Sequence, residues 1–409
     1  MRLLKTFALA ASVGLALSAT SNSASAQITA YEGARVIVGD GRAPIENATI
    51  IVNGARIQQV GPSTGVQVPA GATRVNLAGK TVMPMIVDTH VHLTNNRDGL
   101  IRDLKQRAYY GISTAQSMGT NGFNLLPVRG ENVPGGARYL SAGRGITRPE
   151  PGRDNTPFWV DTEEQARGVV RELAANKVDI VKIWVDDRNG MYPKLTPALY
   201  GAIIDEAHKN NLRVTAHIFT LEDAKGLLRA GVDAFAHSVR DKDVDDEFMT
   251  LVKQRPNLVV NPNLPDRGVK TDVAWLQASL PAAEFQKVQE ENVDNQRAQT
   301  AYGIQARNLA KLTAAGVKIV EGEDGNTSYG PHIEMEDMVI AGMTPMQVIT
   351  ASAKIAAEFL RLGDAGTIEA GKSADLLVLD ANPLDDIKNT RKIWAVYLRG
   401  AAVDRSKRP

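Results

Sequence analysis

Two histidines separated by one residue, His90 and His92, are the first residues of this chain whose types and spacing could do chemistry. They close the motif Val-Asp-Thr-His-Val-His at the end of a predicted strand. Residues two apart on a strand point to the same side, so both imidazoles can reach one metal ion. A purely structural pair of histidines is the alternative at this point.

Two further histidines, His217 and His237, end predicted strands at 212–217 and 232–237. The chain contains six His and no Cys, so a transition-metal ion has only imidazoles, carboxylates and lysine-derived groups as ligands. The lack of Cys also excludes disulfides, thiolate metal sites, Fe–S clusters and a Cys nucleophile. Four of the six histidines therefore lie at the carboxyl ends of predicted strands, the face where barrel enzymes carry their chemistry.

Lys182 lies inside the apolar predicted strand 179–185. Alternation along this strand places Ile180, Lys182 and Trp184 on the barrel side. A bare ammonium buried beside metal ions would be destabilising, because desolvation and like charge both disfavour the cation. Reaction with carbon dioxide would convert Lys182 to a carbamate, an anionic two-oxygen ligand able to bridge two ions. The alternative is a lysine whose long side chain reaches the barrel rim.

Asp324 follows the predicted strand 317–320 in the segment Glu-Gly-Glu-Asp-Gly. A carboxylate at this position can bind a metal ion and accept a proton from a metal-activated water. Glu321 and Glu323 compete for the same role. Asp324 is favoured because the next residue, Gly325, permits a close backbone approach.

Predicted strands and helices alternate through the middle of the chain. The eight predicted strands span residues 82–88, 112–117, 139–142, 179–185, 212–217, 232–237, 258–261 and 317–320. Predicted helices separate most of them, at 162–176, 197–210, 221–230 and 285–315. This alternation predicts an α/β fold with a (β/α)8, TIM-like barrel at residues 83–364. A doubly wound sheet is the alternative, although no G-x-G-x-x-G motif follows a strand.

Short β-like segments occupy both ends of the chain. Residues 27–82 carry apolar runs punctuated by turn residues, including Asn53-Gly54, a strong hairpin signal. The same pattern returns in residues 365–409. Neither segment can cover its apolar face alone, so we predict that the two pair into one small β-sandwich domain beside the barrel.

Residues 1–26 have the pattern of an export signal. A short positive start precedes an apolar run at 7–17, and an Ala-Ser-Ala cleavage site ends at Ala26. We therefore predict a signal peptide cleaved after Ala26 and a periplasmic location, with a buried first helix as the alternative. No Cys follows the apolar run, and no later stretch reaches the roughly 18 apolar residues of a bilayer span, so no membrane anchor is expected.

Charge gives no reason to expect a nucleic-acid partner, because 47 Lys plus Arg and 46 Asp plus Glu leave a formal net charge of +1. Arginines that follow predicted strands could instead hold the carboxylate of a small-molecule substrate in a bidentate pair. They are Arg144, Arg148, Arg153, Arg188, Arg240 and Arg267. Ordinary ion pairs with neighbouring aspartates are the alternative. Arg240, three residues after His237, is the best candidate for a substrate contact. His332 is a second candidate and is predicted to lie in a loop. His208 is expected on the surface of a helix.

The order His-x-His, Lys, His, His, Asp on predicted strands one, four, five, six and eight, with the flanking β-sandwich, resembles the amidohydrolase superfamily with a binuclear metal centre. Within it the chain is most similar to the imidazolonepropionase-like and Xaa-Pro or Xaa-Arg dipeptidase (prolidase-like) branch. The likeness covers nearly the whole chain after the leader. The segments that carry it are 36–40, 83–92, 342–345 with the helix that follows to Ala357, and the closing run 366–376. The closing run, Gly-Thr-Ile-Glu-Ala-Gly-Lys-Ser-Ala-Asp-Leu, is very specific for this branch.

The resemblance implies two divalent metal ions, with zinc expected, and carbon dioxide for the carboxylation of Lys182 as a bridge between them. One ion would be bound by His90, His92 and Asp324, and the other by His217 and His237. Residues 184–188 and the Gly-Glu-Asp segment 322–324 differ from the usual pattern of the branch. These differences leave the ligand set intact and the substrate open.

The activity that follows is metal-dependent hydrolysis of an amide bond, in which Asp324 passes a proton from the attacking water to the leaving amine. Expected substrates are small carboxylate-bearing molecules, such as a dipeptide or an N-acyl or N-aroyl amino acid. Hydrolysis of an ester, lactone, carbamate or phosphotriester at the same centre is the first alternative. A non-catalytic periplasmic metal or solute carrier is the second. A homo-oligomer is compatible with the sequence.

Overall fold

The computed structural model describes residues 27–409, and the predicted leader with its cleavage site after Ala26 lies outside the described residues. The described chain begins with the strands β1 (Ile28–Val36), β2 (Ile45–Asn53), β3 (Arg56–Pro62), β4 (Thr73–Asn76) and β5 (Thr81–Pro84). A long run of strands and helices follows: β6 (Ile86–Val91), α1 (Arg97–Tyr109), β7 (Ile112–Ser117), β8 (Arg138–Ser141), β9 (Ile146–Thr147), β10 (Phe158–Trp159), α2 (Glu163–Ala175), β11 (Val181–Val185), α3 (Pro197–Lys209), β12 (Val214–Ile218), α4 (Leu221–Ala230), β13 (Ala234–Phe235), α5 (Asp246–Lys253), β14 (Val259–Val260), α6 (Ala282–Glu291), α7 (Gln296–Ala314), β15 (Lys318–Ile319), α8 (Gly330–Ile340), α9 (Pro345–Thr350) and α10 (Ala356–Phe359). The chain closes with β16 (Leu376–Leu379), β17 (Ile393–Leu398) and β18 (Ala401–Ala402).

Parallel strands of the middle region build a (β/α)8 barrel. They are β6, β7, β8, β11, β12, β13, β14 and β15. Hydrogen bonds pair β6, β7 and β8 in one group and β11 to β15 in another. Backbone bonds join the two groups on both sides: Asp179 N donates to Ser141 O at 3.0 Å, and Thr89 N donates to Glu321 O at 3.2 Å. The predicted fold class is confirmed.

Alternation along the barrel strands separates two apolar layers. Inward side chains, such as Val87, Ile180 and Val320, pack together along the barrel axis. Outward side chains, such as Val181 and Ile183 of β11, pack in the layer that holds the surrounding helices. All of β11 is buried, so its period of two decides which side chains face the axis. Lys182 therefore points inward, like Ile180.

Both chain ends contribute to one flanking sheet, in the order β18-β17-β16-β5-β1-β2-β3, with β4 beside β1. β16 pairs antiparallel with β5, so Leu377 lies opposite Met83. Apolar side chains from both ends, including Tyr31, Ile50 and Leu376, form a separate core. The prediction that the two ends build one sandwich-like unit is confirmed, and its limits along the chain stay a prediction.

Two predicted elements are divided in the structure. The predicted strand 82–88 is two strands, because the chain leaves the flanking sheet after Pro84 and enters the barrel at Ile86. The apolar run is continuous across Pro84, so hydrophobic period alone does not show the break. The predicted helix 285–315 is α6 and α7, because the Asn295 side chain accepts from the first backbone N–H groups of α7 and starts a new helix there.

No helix of residues 27–409 is long and apolar enough to cross a membrane.

Candidate metal centre

β6 and the segment after β15 bring His90, His92 and Asp324 together at the carboxyl end of the barrel. Nε2 of His90 and Nε2 of His92 lie 3.0 and 3.1 Å from the same oxygen, Oδ1 of Asp324. The ligand atoms of these three residues all lie within 4.8 Å of one another. Imidazole nitrogens and a carboxylate oxygen at these separations can hold one divalent ion.

The other ring nitrogens of both histidines already have partners. Nδ1 of His90 lies 2.7 Å from Oδ1 of Asn263, and Nδ1 of His92 lies 3.1 Å from Oγ1 of Thr120. A neutral imidazole has one N–H, so an Nδ1–H that donates leaves a lone pair on Nε2 for a metal. Asn263 and Thr120 are not predicted from the sequence. Each lies three residues beyond a barrel strand, and this placement is the signal that could have found them.

The backbone around Asp324 is held close to β6. Asp324 has φ +58°, an uncommon value for a residue with a side chain, and its N–H donates to His90 O at 2.9 Å. The close approach predicted at Gly325 is present, since Gly325 O accepts from His92 N at 2.9 Å. Gly322 makes a second close backbone approach to β6. A Cβ at this position would lie only 2.7 Å from His90 N, so a side chain is excluded.

The two glutamates that compete with Asp324 are not in the group of converging ligand atoms. The Glu323 carboxylate accepts from Nη2 of Arg107 and from the backbone N–H of Thr327. Glu321 is fully buried, and neither of its carboxylate oxygens has a hydrogen-bond partner among residues 27–409. Asp324 is the carboxylate that the structure brings to the histidines.

Lys182 on β11 is fully buried, and its Nζ lies 2.9 Å from Nε2 of His90. The alternative in which this side chain reaches the barrel rim is therefore wrong. Burial lowers the pKa of Lys182 to about 7, so the neutral amine, the form that reacts with carbon dioxide, is populated near neutral pH. Carboxylation itself stays a prediction.

His217 and His237 lie side by side, with ring centroids 4.5 Å apart. The His237 ring centroid is 5.2 Å from that of His90, and its Nε2 lies 3.5 Å from Oδ2 of Asp324. This Nε2 is buried and has no hydrogen-bond partner among residues 27–409. A buried nitrogen without a partner is destabilising, and a bound ion would satisfy it. The structure therefore brings the predicted ligands of both ions into one cluster.

Burial also sets the charge of this cluster. It lowers the pKa of His90 to about 4 and the pKa of His217 to about 3, and it holds the pKa of His237 well below the ordinary value. Burial raises the pKa of Asp324, but the neighbouring His90 and His237 hold that pKa well below its usual range. At neutral pH these three imidazoles are uncharged and Asp324 is ionised, the state that binds a metal ion.

Arg240 is the candidate arginine whose side chain makes neither an ion pair nor a hydrogen bond within residues 27–409, and its Nε and Nη2 are buried. Burial lowers the pKa of Arg240, and the charges of Asp324 and Asp186 oppose this, so the guanidinium lies beside the cluster. Each of the other candidate arginines has a partner in the protein. Arg144 donates to the backbone oxygen of Thr156, Arg148 pairs with Asp161, and Arg153 pairs with Glu150. Arg188 pairs with Asp186 and Glu150, and Arg267 pairs with Glu336 and Asp337.

His332 does not join the cluster, and its interpretation as a loop residue available to substrate is wrong. It lies in α8 and is 1% exposed. Its Nδ1 lies 3.0 Å from Oγ1 of Thr390, and its Nε2 lies 2.8 Å from Tyr110 O. The fold thus uses both ring nitrogens. His208 lies at the surface of α3 as predicted, with Nε2 2.9 Å from Oδ2 of Asp233.

Comparison with known proteins relates this cluster to a family. The model of the Amidohydrolase family matches residues 81–403. Imidazolonepropionase of Maricaulis maris is 24% identical over 375 residues, covering 85% of this chain and 90% of that protein. Ochratoxinase of Aspergillus niger is 23% identical over 432 residues, covering 89% of this chain and 83% of that protein. The crystal structure of a candidate prolidase from Bifidobacterium longum superposes with a TM-score of 0.77 at 27% identity, covering 94% of this chain and 96% of that one. The chain therefore belongs to the amidohydrolase family of hydrolases, as its residue pattern predicts.

Proposed function

We propose that this protein hydrolyses an amide bond of a small carboxylate-bearing substrate at a binuclear metal centre. The observation that carries the proposal is the cluster of four imidazoles, a carboxylate and a lysine at the carboxyl end of one barrel. They are His90, His92, His217, His237, Asp324 and Lys182. Membership of the amidohydrolase family supports an amide or related bond, and the similarity to a candidate prolidase supports a peptide-like one.

The donor set fits two divalent ions, and zinc is the metal we propose. Imidazole nitrogen and carboxylate oxygen are the ligands of many catalytic zinc sites. One ion would be held by His90, His92 and Asp324, the other by His217 and His237, with Lys182 as the bridge. Bound ions supply polarisation of the scissile carbonyl and an ionised water at neutral pH.

Lys182 becomes a suitable bridge only as an anion. Its neutral amine attacks carbon dioxide, one N–C bond forms and one proton is released, which leaves a carbamate with two oxygens. Nζ lies 2.9 Å from Nε2 of His90, so the carbamate would form beside the histidine cluster. The carbamate also replaces a buried amine, which could become cationic, with a negative charge that metal ions stabilise.

Asp324 is placed to move the proton. Its Oδ1 contacts both histidines of β6, and its Oδ2 lies 3.5 Å from Nε2 of His237. The carboxylate therefore spans both halves of the cluster. Because it is ionised, it can accept a proton from the attacking water and deliver it to the leaving amine nitrogen.

Arg240 supports a substrate that carries a carboxylate. Guanidinium N–H groups are normally hydrogen-bonded when buried, yet Nε and Nη2 of Arg240 are buried without a partner among residues 27–409. A carboxylate can satisfy two such N–H groups at once through a bidentate pair. A dipeptide or an N-acyl amino acid offers this group close to the scissile amide.

A hydrolysis screen tests the proposal. Protein reconstituted with zinc and bicarbonate is assayed on dipeptides and N-acyl amino acids, on the same compounds with the carboxylate capped as an amide, and on esters, lactones, carbamates and phosphotriesters. We expect two zinc ions per chain and turnover that depends on the free carboxylate. Turnover confined to substrates without a carboxylate contradicts the role of Arg240. Two bound ions with no turnover on any substrate would favour the alternative of a non-catalytic metal or solute carrier.

We further propose export to the periplasm, on the pattern of residues 1–26 alone. Intact mass of the protein recovered from the periplasm of an expressing bacterium should correspond to a chain that starts at Gln27. A full-length chain retained in the cytoplasm would contradict this.

A further inference from the structure

Asp186 lies directly after β11, and its Oδ2 is 2.8 Å from Nε2 of His217. We infer that Asp186 is a positioning residue that holds the His217 ring with Nδ1 turned to the metal centre. The inference rests on the proposed metal centre. Asp186 belongs to the segment after the lysine strand that differs from the usual pattern of the branch, and the proposed reaction gives it no part.

The contact settles which nitrogen of His217 carries the proton. A carboxylate accepts hydrogen bonds and cannot donate them when ionised. At 2.8 Å two acceptors would repel each other, so Nε2 must be the N–H that donates to Asp186. The neutral ring then has its lone pair on Nδ1, and within residues 27–409 Nδ1 of His217 takes part in no hydrogen bond. In His90 and His92 the arrangement of the ring nitrogens is reversed, since their Nδ1 atoms are hydrogen-bonded to Asn263 and Thr120.

Asp186 is itself fixed. The backbone N–H of Arg188 donates to Oδ1 at 2.8 Å, and Nη1 of Arg188 donates to Oδ2 at 2.9 Å. Arg188 has φ +55°, which turns the chain back over the carboxylate. Nη1 of Arg188 is 3.4 Å from Nε2 of His217, farther than the carboxylate oxygen. Asp186 is 9% exposed, so water competes little for these bonds.

A direct metal contact by Asp186 is the competing role, and the geometry opposes it. Asp186 faces Nε2 of His217, on the opposite side of the ring from the Nδ1 lone pair that would bind the ion. All three hydrogen bonds to Asp186 come from donors on the protein. Carboxylates that accept from the second nitrogen of a metal-binding histidine are common partners of such sites.

The test compares Asp186→Ala, Asp186→Asn and the control Asp187→Asn. Asp187 is the next acidic residue, and its Oδ1 accepts from Gly190 N at 3.0 Å, a bond that the amide oxygen of Asn can keep. Zinc affinity of the metal-free protein is measured by competition with a chromophoric chelator. Nitrogen-15 NMR of the histidine rings in the same protein reports the tautomer of His217, which is identified by its loss in His217→Ala.

We expect Asp186→Ala to weaken binding at one of the two zinc sites by roughly 10- to 100-fold and to remove the Nε2–H tautomer of His217. Asp186→Asn should lose less affinity and keep the tautomer, because the amide oxygen still accepts from Nε2. Asp187→Asn should match the wild type. An Nδ1–H tautomer in the wild type, or unchanged affinity in Asp186→Ala, overturns the inference, and equal losses in Ala and Asn assign Asp186 as a direct ligand instead. A wild-type protein that binds no zinc rejects the proposed function itself, so the two failures are distinct.

Discussion

His90, His217 and Lys182 would be basic groups in an unfolded chain, yet the folded protein favours the neutral form of each. Burial lowers the pKa of each of them, to about 4, about 3 and about 7. Asp324 keeps its charge because the neighbouring imidazoles outweigh the effect of burial on its pKa. The surroundings of each side chain thus favour unprotonated nitrogens on the bases and a negative charge on Asp324 near neutral pH.

Asp324→Asn tests the proton transfer. We expect kcat to fall by about 10² to 10⁴-fold, because the amide cannot accept the proton from water. Zinc content should remain close to that of the wild type, since the histidines are unchanged and the amide oxygen can still face the ion. Zinc content by atomic emission and steady-state kinetics on one dipeptide check both points. Near-normal turnover in this variant would reject the assignment of Asp324.

Arg240→Met tests the carboxylate contact. Loss of a charge-assisted bidentate pair costs about 1.5–3 kcal/mol, so kcat/KM for a carboxylate-bearing amide should fall by about 10- to 100-fold. The capped substrate should be hydrolysed equally by the variant and the wild type. Arg148→Met is the control, because Arg148 is already paired with Asp161. An equal loss on both substrates would place Arg240 in the scaffold and not in substrate recognition.

At the scale of single residues, the period of two along a strand determines which site residues can be predicted from the sequence. His90, His217 and Lys182 are predictable because strand alternation and the strand end together fix where a side chain points. Asn263 and Asp186 are missed because their partners come from other strands, and only the folded loops bring them together. His332 is misplaced for the same reason, since its partner Thr390 lies 58 positions away.

At the scale of elements, helix α1 holds the turn that carries Asp324. Arg107 of α1 is fully buried, and its guanidinium donates to Oδ1 of Asn326 at 3.0 Å and to Oε1 of Glu323 at 3.4 Å. Asp103, one helical turn earlier, accepts from Nδ2 of Asn326 at 2.8 Å. Residues on both sides of Asp324 are therefore anchored to one helix, which helps to keep its uncommon backbone conformation.

Arg107→Met tests this anchor. Removal of one partner of a buried ionic network leaves carboxylates without their cation, so the free energy of unfolding should fall by about 3–5 kcal/mol. Urea denaturation followed by circular dichroism measures the loss. Arg102→Met, on the exposed side of the same helix, should change stability by less than about 0.5 kcal/mol. Equal stability of the two variants would show that the network around Arg107 is not needed.

At the scale of the whole molecule, two units are predictable and their junction is not. The alternation of strands and helices predicts the barrel, and the β-like ends predict the flanking sheet. The junction depends on contacts between distant segments: His332 of α8 bridges the backbone after α1 and Thr390, near the C-terminal strands. No local pattern encodes such a contact, because each partner is an ordinary polar group in its own segment.

The buried His332 makes a prediction about acid stability. Burial lowers its pKa from 6.5 to about 4, so between these pH values the unfolded chain binds a proton that the folded protein does not. The free energy of unfolding should therefore fall as pH drops from 6.5 towards 4, with a share from this one group that approaches about 1.4 kcal/mol per pH unit. Above about pH 7.5 the ring is almost fully neutral in both states and contributes little slope.

His332→Gln isolates this share, because every other titrating group is common to the two proteins. The Gln amide can still donate to Tyr110 O but loses the contact with Thr390, so at pH 7.5 the variant should be less stable by about 1–3 kcal/mol. At pH 5 the difference should shrink or reverse, since the variant has no ring for the unfolded chain to protonate. Urea midpoints of both proteins at the two pH values, measured without metal, decide the matter. A difference that is the same at pH 7.5 and at pH 5 would mean that His332 takes up its proton in the folded protein as readily as in the unfolded chain.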